Sequence, residues 1–143
     1  MKKIALIVLM ATTVFFVGCN SRGSSGNFAR PKTAEELRQE LKTKEQSNLY
    51  DYLSVEYKLD YKLLAGKDVI KGVIKNKASI AKFKDVVLTI TFFTETDTEL
   101  KTQDVPIYKF VGPNSSTEFE LNLTPPPGRK KIRVKIKNAT PVD

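Results

Sequence analysis

The sequence predicts a mainly β protein: an antiparallel β-sandwich of six to seven short strands, preceded by an export signal, a flexible tether and one short α-helix. Three observations lead there. Apolar residues recur with a period of two across most of residues 52–136. Glycine, proline and asparagine punctuate those runs as turn signals. The first eighteen residues are unlike everything after them. The 143 residues are 41% apolar and carry a formal net charge of +8, which suits one globular domain and not a disordered chain. There is no histidine, no tryptophan and one cysteine. A Ser-His-Asp triad, a Cys–His pair and any His-ligated metal centre are therefore excluded. No catalytic residue, cofactor or metal is expected.

Met1-Lys2-Lys3 is a basic start, and residues 4–17 are apolar except for Thr12 and Thr13. A basic head, a short apolar run and a small residue describe a secretory signal. The run is shorter than the roughly 20 residues a transmembrane helix needs. Phe16-Val17-Gly18-Cys19 closes it, and this tetrapeptide resembles the lipobox of bacterial lipoproteins. Phe16 stands where that family prefers leucine. The resemblance implies a signal peptide over 1–18 and a diacylglyceryl group on the Cys19 thiol. The mature chain, 19–143, is then lipid-anchored in the cell membrane or outer membrane and faces the periplasm or the exterior. Two or three acyl chains hold such an anchor stably, at about 0.8 kcal/mol per buried CH₂. With its one thiol consumed, the chain forms no disulfide.

Residues 19–32 join the lipidated cysteine to the domain. Their sequence after Cys19, NSRGSSGNFARPK, has the serine and glycine content of a coil spanning about 20 Å. A short helix is expected over 33–48. Thr33 and Glu36 form a capping box, Glu35 and Glu36 sit at the dipole's positive end, and Lys42 and Lys44 near the other. Its apolar stripe of Ala34, Leu37 and Leu41 is narrow, so the helix packs lightly on the domain or frays.

The sandwich domain is expected over 50–143. Val55, Tyr57, Leu59, Tyr61 and Leu63 alternate with charged residues, and Ile70, Gly72 and Ile74 line one face of the next strand. An antiparallel register setting Asp60 opposite Lys71 and Glu56 opposite Lys75 pairs opposite charges, and is expected on that ground. Val86, Leu88, Ile90 and Phe92 make the most apolar strand, which belongs at the centre of a sheet. Residues 94–98 are a polar turn. Pro106 sends the strand over 105–111 to an edge or a strand start. Phe119, Leu121 and Leu123 form a further strand, and Ile132, Val134 and Ile136 the last. The stiff Pro125-Pro126-Pro127-Gly128 span between these two suits a crossover between sheets better than a tight hairpin. The architecture is immunoglobulin-like, without the Cys and Trp hallmarks of a true immunoglobulin domain.

Gly72 and Asn76, then Phe83-Lys84-Asp85-Val86, the alternating apolars, and Gly112-Pro113 followed by Ser115-Ser116-Thr117 stand in a recognisable order. That order resembles the FxLYD-type β-sandwich of bacterial extracytoplasmic proteins. With the TAEELRQEL helix of residues 33–41, it is similar to small bacterial lipoproteins carrying that sandwich. Phe93-Thr94 stands where the pattern has Tyr-Asp. The resemblance brings no catalytic residues.

Arg129, Lys131, Arg133, Lys135 and Lys137 form a basic strip, expected to point outward and unpaired. It is the candidate contact for an anionic surface or partner: an envelope protein or an anionic envelope polymer, besides the membrane held through the lipid. Nucleic acid is not expected, since no stacking aromatics interleave the basic residues. Glu95, Asp97 and Glu99 read as a solvated turn and not as a calcium site. The function expected is that of a non-catalytic binding or envelope-assembly accessory. The alternative is a structural spacer without a specific ligand. An exposed aromatic or concave basic patch separates the two.

Overall fold

The computed structural model describes residues 30–62 and 66–143. The signal peptide, Cys19 and the tether as far as residue 29 lie outside the described residues. Lys32–Asp143 form a compact unit.

Helix α1 spans Ala34–Ser47, and its capping box is complete. The Glu36 N–H donates to Thr33 Oγ1 at 3.2 Å, and the Thr33 N–H donates to the Glu36 carboxylate at 2.7 Å. The apolar stripe does not hold the helix to the domain, because Ala34, Leu37 and Leu41 are all exposed. Two leucines offer too little area to compete with another attachment. Glu45 supplies it. Its carboxylate is 1% exposed and accepts the N–H groups of Ser79 at 2.7 Å, Ile80 at 2.9 Å and Ala81 at 2.8 Å. Burial pushes this carboxyl's pKa up, but the N–H groups of Ala81, Ser79 and Ile80 outweigh burial and hold it below its ordinary value. A single further turn, α2 (Leu49–Tyr52), drops Leu49 into the core.

Six strands follow: β1 (Leu53–Lys62), β2 (Lys67–Asn76), β3 (Lys82–Phe93), β4 (Glu99–Val111), β5 (Ser115–Leu123) and β6 (Lys131–Val142). They form two antiparallel three-stranded sheets in the orders β1-β2-β5 and β4-β3-β6. These orders correspond to the A-B-E and C′-C-F strands of an immunoglobulin-type sandwich. The proline-rich span does carry the chain from one sheet to the other between β5 and β6. As expected, β3 is central, with Val86, Leu88, Ile90 and Phe92 fully buried, and the Pro106 strand β4 is an edge. Among the described residues every member of the core cluster lies between Leu49 and Ala139, so the Lys32–Asp143 unit carries its own core.

The expected register of the first hairpin is corrected. Asp60 lies opposite Val69, and Lys58 opposite Lys71, two residues from the pairing that charge favoured. The turn explains it. Gly66 sits at φ 59°, completing a turn that closes with Lys62 opposite Lys67. Gly72 then falls between Tyr57 of β1 and Phe119 of β5. The Phe119 ring lies over the glycine, where a Cβ would come within 2.5 Å of ring carbon Cζ. That ring contact fixes the β2–β5 pairing; exposed ion pairs are too weak to impose the β1–β2 register, and they survive on the diagonal. Lys71 Nζ is 3.6 Å from Asp60, and Lys75 Nζ is 2.6 Å from Glu56.

The residues quoted for the sandwich resemblance have structural roles. Buried Asn76 donates from Nδ2 to the carbonyls of Ala81 and Gly112 at 2.9 Å and accepts the Ala78 N–H. It thereby joins the β2–β3 connection to the β4–β5 turn. Asp85, at φ 50°, sits at a β-bulge where it faces the two residues Tyr108 and Lys109 of β4; Phe83 is fully buried.

Candidate functional site

Sheet order explains the fate of the basic strip. With β3 between β4 and β6, acidic groups of β4 and of the β3–β4 turn lie close to β6. Lys131 pairs with Asp97 at 2.9 Å, and Lys137 pairs with Asp104 across Thr89. The Lys137 and Thr89 hydrogen bonds hold the Asp104 carboxyl below its ordinary pKa. The Arg133 guanidinium lies over the Phe93 ring, 4.7 Å from its centroid. Arg129 is not on the surface at all: it makes an ion pair with Asp68 in which both side chains are nearly buried. The expectation of an unpaired strip is therefore corrected. Of the five, Arg133 has only the Phe93 ring, and Lys135 has no ion-pair or hydrogen-bond partner among the described residues. No signal along the chain reveals these partners, since each lies 33 or more positions away. Among the described residues no three acidic or cysteine side chains gather as a metal site.

A patch missed by the sequence reading lies at the other end of the same outer face. Tyr108 and Phe110, two apart on edge strand β4, are 79% and 57% exposed. Their neighbours Ile107 and Val111 point into the core, so alternation places both aromatics outward. Phe110 stands opposite Lys84 of β3, and Lys82 Nζ lies 4.3 Å above the Phe110 ring. Lys82 also lines a groove of about 470 Å³ with Arg38, Pro113, Val142, Glu35 and the ion-paired Lys42 and Asp143. The aromatic pair, the two β3 lysines and the first turns of α1 are thus continuous. The sequence signal was the spacing of Tyr108 and Phe110 on a strand already assigned to an edge by Pro106.

The opposite sheet is different. Its outer face mixes Glu56, Asp60, Glu118 and Glu120 with Lys58 and Lys71 around a shallow depression of about 720 Å³. The two carboxyls with shifted pKa, Glu45 and Asp104, line neither groove. Among the described residues no helix is long and apolar enough to cross a membrane.

Fold and surface together define a small two-sheet β-sandwich with an outlying N-terminal helix and one basic, aromatic outer face. No family model and no curated protein matches the chain. Among solved structures it is similar to a DUF1425 family member from Shewanella sp. pv-4, at 8% identity and a TM-score of 0.42, over 60% of this chain and 77% of that one. It is also similar to the trimeric lipoprotein SadB of Salmonella enterica, at 18% identity and a TM-score of 0.45, over 61% of this chain and 50% of that one.

Proposed function

We propose that this chain is a lipid-anchored, extracytoplasmic, non-catalytic β-sandwich of the FxLYD type, acting as a binding or envelope-assembly accessory. The exposed Tyr108–Phe110 pair carries the binding part of the reading. A spacer has no use for two large rings held in water on one strand face beside lysines. The Phe16–Cys19 sequence supports the anchor. The structural roles of Gly72, Asn76, Phe83 and Asp85 support the FxLYD resemblance, since each meets a need of the sandwich itself. A non-catalytic role is supported by the two groups of shifted pKa: Glu45 is engaged in docking a helix and Asp104 in bonds to Lys137 and Thr89.

Mass spectrometry of protein extracted from bacterial membranes tests the anchor. The expected species begins at Cys19 and carries acyl chains, and Cys19→Ser abolishes the acylated species while leaving the circular dichroism of the sandwich unchanged. An intact Met1 or an unmodified cysteine in the membrane fraction overturns the reading.

A further inference from the structure

We propose that the patch formed by Tyr108, Phe110, Lys82 and Lys84, together with Arg38 of α1, is a docking surface for an anionic lipid bilayer. The proposal rests on the anchored reading for its orientation but makes its own claim about the folded surface.

Three observations select this occupant. The first is charge. Lys84 and Arg38 have no ion-pair or hydrogen-bond partner among the described residues, and the ammonium of Lys82 has only the Phe110 ring. On β6, by contrast, two of the four basic side chains are ion-paired, Lys131 with Asp97 and Lys137 with Asp104. The second is the form of the apolar part. Tyr108 and Phe110 project outward from edge strand β4 and line neither of the two grooves described. An amphipathic ring beside lysines suits the headgroup region of a bilayer, where aromatic residues concentrate, while lysines contact anionic headgroups. The third is position. The tether joins α1 at Thr33, and Arg38, one turn later, lines the same groove as Lys82. Thirteen residues, 20–32, separate Cys19 from Thr33, a length of flexible chain that spans about 20 Å r.m.s.. A lipid on Cys19 therefore keeps this end of the unit within reach of the membrane. A bilayer held that close presents headgroups at high local concentration, so weak contacts suffice.

The test uses the Lys32–Asp143 unit, which carries its own core. Because it lacks Cys19, failure here is separable from failure of the anchor. Binding is measured by co-sedimentation with vesicles of phosphatidylcholine, with and without phosphatidylglycerol, whose anionic headgroups supply a negative surface potential. Binding only to the anionic vesicles is expected, weakening as salt is raised. Lys82→Gln with Lys84→Gln should lower it about 30-fold, while Lys58→Gln on the opposite sheet leaves it unchanged. The chain has no tryptophan, so Tyr108→Trp places a single reporter in the patch. Its emission should shift to the blue on anionic vesicles and be quenched by brominated lipid. Thermal melts of each variant confirm the fold. Absence of binding, equal binding to neutral vesicles, or a Trp reporter that stays in water overturns the proposal. So does preferential binding of a soluble anionic polysaccharide or acidic protein over the vesicles.

Discussion

Replacing Glu45 by glutamine should undock α1 while leaving the sandwich intact. The carboxylate accepts three N–H groups from consecutive residues, with Ser79 on one oxygen and Ile80 and Ala81 on the other. A hydrogen bond to a charged group contributes about 1.5–3 kcal/mol, and a buried N–H left without an acceptor costs about 1–3 kcal/mol. Water can replace the acceptor at Ser79 and Ile80, whose bonds are only partly buried, but not at Ala81. Glutamine keeps one oxygen and turns an NH₂ toward a donor. The expected loss is about 1.5–3 kcal/mol, or a fall of roughly 10- to 150-fold in the amide-exchange protection of Ala81 and of the α1 amides. The β3 amides should stay protected, because no α1 residue belongs to the core cluster. pH gives an independent handle. The folded carboxyl has a pKa below the ordinary 4.5, so between the two values the unfolded state binds more protons. Docking is complete above 4.5, weakens as pH drops beneath it and is lost as pH falls through the lowered value. The glutamine variant should lack that dependence. Unchanged protection at Ala81, or an acid transition that persists in the variant, refutes the reasoning.

Two further substitutions probe the sandwich. Gly72→Ala brings a Cβ to 2.5 Å from both the Glu56 carbonyl oxygen and the Phe119 ring, and should destabilise the domain by about 1–3 kcal/mol in urea titrations; wild-type stability would mean that these close approaches do not require glycine. Arg129→Met strands the nearly buried Asp68 carboxylate and should cost about 3–5 kcal/mol, with much of it recovered when Asp68→Leu is added; a double variant no more stable than the single one argues against a simple buried pair.

What the residues determined alone, and what they did not, divides along the range of the interactions. Period-two alternation marked all six strands, because a strand half-buried on a core must repeat every second residue. It also placed β3 at the centre and, through Pro106, β4 at an edge. The Thr33–Glu36 capping box was readable because both partners sit within one turn. Strand ends were less visible: β4 begins at Glu99 and β6 runs to Val142, where backbone ladders hold polar residues that carry no apolar period. Partners distant in sequence were decided by the tertiary structure. Leu37 and Leu41 looked like the contact face of α1, yet Glu45 docks it, because only the folded β2–β3 connection presents three adjacent N–H groups. The charges of β1 and β2 favoured one register, but the turn at Gly66 closed another, and diagonal ion pairs removed the penalty. The basic strip and the Tyr108–Phe110 patch exchanged importance for the same reason. A side chain's charge is written in the sequence, whereas its partner is set by which strands the sheet makes neighbours.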